Sequence, residues 1–166
     1  MKVFGVTGWK NSGKTTLMER LVTEITARGV SVSTIKHAHH NVDVDQPGKD
    51  SYRHRQAGAR EVILASSNRW ALMHELRDEA EPTLEGLLAH IAPVDLVLIE
   101  GYKREDHPKI EAANSQGARP LLALDDSRVV AVAAGYDAQN IPVPVLDIND
   151  IPAIASFVLK HTNLSA

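Results

Sequence analysis

Apolar and polar positions alternate in blocks along this chain, and the blocks follow two different periods. Residues 3–7 form a short β-rich run that meets glycine at Gly8, the pattern of a buried first strand. From residue 14 to 28, Leu17, Leu21, Val22 and Ile25 recur at helical spacing, and Gly29 supplies a C-terminal stop. Residues 30–35 return to a strand pattern. Strand, turn, helix and strand in that order predict a unit with a right-handed crossover.

Residues 36–50 are polar and carry Pro47 and Gly48, which predicts a long loop. Loops of that length in compact domains commonly serve function or move. A short helix is expected over 50–57, closed by Gly58, followed by paired strands over 61–66 and 69–74 around Ser67-Asn68. Glu81 or Thr83 can cap a helix running to Ile91, and residues 94–99 make the most apolar strand. A second polar loop covers 102–108, with weaker strands near 121–124 and 129–133. Pro142, Pro144 and Pro152 punctuate the tail before a last helix over 151–160. No repeat, low-complexity tract or linker interrupts the pattern, so residues 1–166 read as a single domain. The expected fold class is α/β, a mostly parallel sheet with helices on both faces.

Composition narrows the classes. With 43% hydrophobic and 23% charged residues the chain is that of a folded globular protein, and 4% aromatics imply a core of Val, Ile, Leu and Ala. A formal charge of -3 gives no global basic field, so nucleic acid is not an expected partner. The absence of cysteine removes disulfides and thiolate metal sites. No apolar run reaches the roughly 18 residues of a membrane span, and no signal-peptide pattern precedes the first strand. A cytoplasmic protein without a membrane partner is therefore expected.

The strongest chemical signal is Gly8-Trp9-Lys10-Asn11-Ser12-Gly13-Lys14-Thr15, a full match to G-x-x-x-x-G-K-[ST] between a β-run and an amphipathic helix. Glycines let backbone amides turn inward, so the N–H groups through Asn11, Ser12 and Gly13 can cradle phosphate oxygens at a helix N-terminus. Lys14 reaches the terminal phosphates, Thr15 offers its hydroxyl to Mg2+, and Thr16 is placed for the first phosphate. This predicts a P-loop nucleotide-binding fold. The apolar strand ends in Glu100, which puts a carboxylate at the carboxyl edge of the sheet beside that loop, a second magnesium-side group. Asp95, at the start of the same strand, is expected to be structural.

The loop Lys36-His37-Ala38-His39-His40, with Asp43, Asp45, Lys49 and Asp50 following, leaves three readings open. It can contact nucleotide or a partner, be an ordinary solvated loop, or bind a transition metal. His54, His74, His90, His107 and His161 are scattered and carry no pattern. Lys103, Arg104 and Lys109 flank the loop after Glu100, where a phosphorylated ligand or a partner can approach.

The phosphate loop, Thr34-Ile35-Lys36-His37-Ala38-His39-His40, Asp45-Gln46-Pro47-Gly48-Lys49-Asp50-Ser51 and Leu98-Ile99-Glu100-Gly101-Tyr102-Lys103 together resemble the molybdopterin-guanine dinucleotide biosynthesis protein B family. The resemblance extends to Asp147-Ile148-Asn149-Asp150. It implies a homodimeric GTP-binding accessory protein with weak hydrolysis. Such a protein assists the guanylyltransferase that joins GMP to molybdopterin, with molybdopterin itself or the molybdenum insertion protein as further partners. By position it implies Gly8, Gly13, Lys14, Thr15 and Glu100 as the phosphate and magnesium site. His37, Asp45, Lys49 and Asp50 become nucleotide-facing or partner-facing. Two features depart from related proteins: Trp9 follows the first glycine where dimeric P-loop relatives carry a lysine, and no Asn-Lys-x-Asp segment is present to read guanine. The competing expectations are a small-molecule kinase, with Arg53, Arg55, Arg60 and Arg69 as cations, and a nickel-type metallochaperone.

Overall fold

The computed structural model describes residues 1–38, 42–115 and 119–165. The backbone divides into two compact units, one of residues 1–37 and 88–166 and the other of residues 38–87, with the division falling inside a short helix, α3 (Leu84–His90).

The larger unit holds a six-stranded sheet. Its strands are β1 (Lys2–Thr7), β2 (Val32–Lys36), β5 (Leu96–Glu100), β6 (Lys109–Ala113), β7 (Val129–Ala134) and β8 (Val145–Asp147). Their order is β2-β5-β1-β6-β7-β8, and every pairing is parallel. This is the expected P-loop nucleotide-binding architecture, with β1 at the centre. Parallel strands need crossovers, and helix α1 (Lys14–Ala27) supplies the first of them. It buries Leu17, Met18, Leu21 and Ile25. Its end is set by Gly29, whose φ of 85° suits a residue without a side chain.

Helix α4 (Ile151–His161) packs beside α1 on one face of the sheet. Asp150 caps it by accepting from the Ala153 amide at 3.1 Å, and Lys160 and His161 lie in the last turn, where cations favour the helix dipole. Phe4, Val6, Leu96, Leu98, Ile110, Ala112 and Ala131 point into the core beneath these two helices. On the other face, over β6 and β7, Ala113, Val129, Val132 and Ala134 pack with Leu121, Leu122, Tyr136, Ile141 and Val143. The apolar run expected as a strand near 121–124 is a 3-10 turn at Leu122–Leu124. Its Ala123 amide donates to the Glu111 carboxylate of β6 at 3.0 Å.

Strand β6 was hidden by its charges. Lys109 and Glu111 alternate with Ile110 and Ala112, yet both charged residues are fully buried. Lys109 Nζ donates to the carbonyls of Lys103 at 3.4 Å and Glu105 at 2.5 Å, so it pins the loop after β5. Arg128 holds the same loop through the carbonyls of Arg104 and Glu105. His107 packs over Gly5, where a Cβ would lie 2.6 Å from its Nε2. Burial, with Lys109 and Arg128 nearby, pushes its pKa down to about 4.

The smaller unit contains α2 (Asp50–Gln56), which packs on an antiparallel hairpin of β3 (Glu61–Ala65) and β4 (Trp70–His74). Arg55 organises it, pairing with Glu75 at 2.6 Å, Asp43 at 2.8 Å and Asp45 at 3.3 Å.

Folded His107 refuses a proton that the unfolded chain accepts. Stability should therefore be full above the ordinary histidine pKa and fall as the pH drops from 6.5 towards 4, by up to about 3 kcal/mol. Denaturant titrations across that range should show the slope, and His107→Gln should flatten it.

Candidate functional site

The site is built where β1 ends. Gly8 has a φ of 140°, and a Cβ there would lie 2.5 Å from Ser12 Oγ and 2.6 Å from the Ala112 carbonyl oxygen, so no side chain fits. Gly13 (φ 93°) precedes the first turn of α1, and no side chain caps the helix amides behind it. The loop is closed by Ser12 N donating to Trp9 O at 3.2 Å and fixed to β6 by Asn114 N donating to Ser12 O at 3.1 Å. Ser12 Oγ and the Thr7 hydroxyl are buried and have no hydrogen-bond partner among the described residues. A concave run of helix-start amides, a glycine cradle and an orphaned hydroxyl together fit an anion of phosphate geometry.

Lys14 lies across this loop, its Nζ donating to Trp9 O at 2.5 Å. Burial lowers its pKa, with Lys103 and Lys36 acting in the same direction and Glu100 opposing them. Thr15 Oγ1 donates to Glu100 Oε1 at 3.2 Å, and Lys36 Nζ stands 3.5 Å from Glu100 Oε2. The juxtaposition follows from register: Val6 pairs with Glu100 and Lys36 pairs with Glu100 from the other side. Two oxygen donors this close suit a hard divalent cation, and the residues present fit Mg2+.

Gly101 (φ 99°) lets His37 pass: a Cβ there would lie 2.9 Å from His37 Cβ. The His37 ring stacks on Tyr102 with centroids 4.5 Å apart. Asp45 accepts from Ser51 Oγ at 2.9 Å, Lys49 precedes α2, and Asp50 opens it, all within the smaller unit. His39 and His40 lie outside the described residues. Among the described residues, no three His, Asp or Glu side chains are grouped to hold a metal ion.

The sequence did not reveal what surrounds Trp9. Its indole Nε1 donates to Pro120 O at 2.8 Å, while Lys103 Nζ and Arg119 Cζ stand 4.5 Å and 4.8 Å from its ring centroid. An aromatic flanked by two cations is a recognisable contact, but only the fold brings residues this far apart in sequence together.

A family model described as Molybdopterin guanine dinucleotide synthesis protein B matches residues 3–135. The chain is 44% identical to the Molybdopterin-guanine dinucleotide biosynthesis adapter protein of Escherichia coli (strain K12), over 92% of this chain and 88% of that one. It is also 44% identical to the Haemophilus influenzae protein of the same description, over 94% and 86%. The chain belongs to the molybdopterin guanine dinucleotide synthesis protein B family. A solved MobB protein homolog from Bacillus stearothermophilus superposes with a TM-score of 0.70 at 27% identity, covering 98% of this chain and 99% of that one. Bacillus subtilis MobB, at 23% identity and a TM-score of 0.75 over 98% of each chain, shares the fold. The family match takes in the phosphate loop, Glu100 and Lys103, whereas β8 and α4 lie beyond it.

Because Gly8 meets backbone rather than a flexible side chain on one side, Gly8→Ala cannot be absorbed locally. It should destabilise the fold by about 1–3 kcal/mol in urea titrations and abolish any thermal shift caused by added Mg2+-triphosphate.

Proposed function

We propose that this chain is a GTP-binding accessory protein in the biosynthesis of molybdopterin guanine dinucleotide, with weak intrinsic hydrolysis. The observation that carries the reading is the glycine cradle with Lys14 across it and the Thr15–Glu100 pair beside it. The pathway comes from relatives described as adapter proteins that match this chain over 92% and 94% of its length.

In this reading the amides from Asn11 to Thr16 bind the phosphate oxygens of GTP. Lys14 exchanges the Trp9 carbonyl for the terminal phosphates. Thr15 and Glu100 hold Mg2+, which supplies charge neutralisation along the polyphosphate. Lys36, beside Glu100, fixes the carboxylate and adds positive charge to the rim. Trp9 occupies the position from which related dimeric proteins extend a lysine, which favours slow turnover. His37 belongs to the nucleotide-facing or partner-facing set, as do Asp45, Lys49 and Asp50 of the smaller unit. The protein acts as a homodimer in the cytoplasm beside the guanylyltransferase, with molybdopterin or the insertion protein as further partners. Among the described residues no helix is long and apolar enough to cross a membrane.

The kinase reading has less support. Two of the arginines it would use are engaged within the smaller unit, Arg55 with three carboxylates and Arg60 with Glu79 at 2.9 Å.

Calorimetry with GTP and Mg2+ tests the proposal. Lys14→Ala should weaken binding by about 2–3 kcal/mol, the loss of a charge-assisted phosphate contact. Unchanged affinity in a folded variant would refute the assignment. Glu100→Gln should lower the magnesium-dependent part of the affinity, and an unaltered magnesium titration would argue against Glu100 as a metal-side acid. Sustained phosphorylation of an acceptor would favour the kinase.

A further inference from the structure

Three loops at the carboxyl edge of the sheet converge on Trp9. The phosphate loop carries Trp9 itself, whose carbonyl accepts from Lys14 Nζ at 2.5 Å. The loop after β6 takes the indole Nε1–H on Pro120 O at 2.8 Å and sets Arg119 Cζ 4.8 Å from the ring centroid. The loop after β5 sets Lys103 Nζ 4.5 Å from the same centroid. Among the described residues no carboxylate stands within ion-pair distance of Lys103 or Arg119. Two positive charges therefore gather on one aromatic side chain of the phosphate loop.

Lys103 is delivered by a backbone that is itself held. The two residues before it, Gly101 (φ 99°) and Tyr102 (φ 46°), both lie in the left-handed region, and Tyr102 carries a side chain there. Such a conformation persists where the surrounding structure over-determines it. Fully buried Lys109 supplies part of that hold, donating to Lys103 O at 3.4 Å and Glu105 O at 2.5 Å. The Lys103 side chain is then a flexible stem on a fixed base. The ring attracts its ammonium group without tying up the three N–H donors, as a carboxylate would. Lys103 also acts on the same space as Lys14: after burial, it is the strongest influence lowering the Lys14 pKa.

We propose that Lys103, held on the Trp9 ring, is a second cation for the outermost phosphate of the bound nucleotide and the residue by which the site prefers a triphosphate to a diphosphate. Lys14 and the loop amides reach the inner phosphates as well, so a diphosphate keeps them and they discriminate weakly. Arg119 strengthens the same positive field from the loop after β6, and Trp9 is a positioning residue that holds the ammonium group over the loop. This inference rests on the phosphate-loop reading above and adds to it the number of phosphates.

Calorimetry of the full chain with Mg2+ compares GTP with GDP in the unaltered protein, Lys103→Met and Lys103→Arg. Methionine keeps an apolar contact with Trp9 and drops the charge. Lys103→Met should bind GTP about ten- to a hundredfold more weakly, the worth of one charge-assisted contact, and GDP within about threefold of the unaltered protein. Lys103→Arg should keep most of the GTP affinity. Trp9→Leu should lower the preference for GTP over GDP, and Trp9→Phe should lower it less. A second readout leaves the site unaltered: Trp70→Phe makes Trp9 the single tryptophan. Its emission should respond more to GTP than to GDP, because the outermost phosphate draws the ammonium group from the ring; an equal or absent response counts against the proposal. Lys14-dependent binding of GTP in which Lys103→Met changes neither affinity, or lowers both by the same factor, overturns this inference and leaves the phosphate loop intact. Failure of the unaltered protein to bind any triphosphate overturns both.

Discussion

Between β1 and β6 the backbone passes so closely that a side chain has no room at Gly8, where a Cβ would stand 2.6 Å from the Ala112 carbonyl oxygen. That single approach sets the shape of the phosphate loop. Once the chain turns there, the Asn114 amide reaches Ser12 O and locks the outer curve of the loop to the end of β6. The loop is therefore not a free-standing motif; it leans on a strand remote in sequence. Strand β6 in turn carries charges that would be costly to bury alone: Lys109 is satisfied by the carbonyls of the loop after β5, and Glu111 accepts from the Ala123 amide through Oε2, while its buried Oε1 has no partner among the described residues. The charges inside this sheet hold loops in place at the edge where the chemistry is expected.

That dependence explains which parts of the structure the sequence disclosed. The first strand, α1 and the strand ending in Glu100 are continuous apolar patterns with clear stops, and each appeared within a residue or two of its expected place at its functional end. Periodicity works where burial is achieved by apolar side chains alone. It fails at β6, because His107, Lys109 and Glu111 look like a solvated loop until the fold supplies their partners. It fails at β8 for a different reason: three residues between Pro144 and Ile148 are too short to show a period. The stretch 121–124 had the opposite problem, an apolar run whose burial is met by a single turn. For the site, the motif located Gly8 to Thr15 and the register brought Glu100 to Thr15 as expected. Lys36 beside Glu100 and the cations over Trp9 depend on strand order, which no local pattern encodes.

Strand order also decides the electrostatics. Lys36 comes from β2, Lys14 from the start of α1, and Lys103 from the loop after β5, and only the order β2-β5-β1 collects them at one rim. Lys14 registers the crowding directly: burial, Lys103 and Lys36 all lower its pKa, and Glu100 alone among the named charges raises it. Like charges gathered at a partly buried rim oppose folding, and one carboxylate does not neutralise three ammonium groups. A polyphosphate bound as proposed would supply the missing negative charge and relieve that repulsion. Affinity for such a ligand is then linked to stability, since whatever binds only the folded state raises its population.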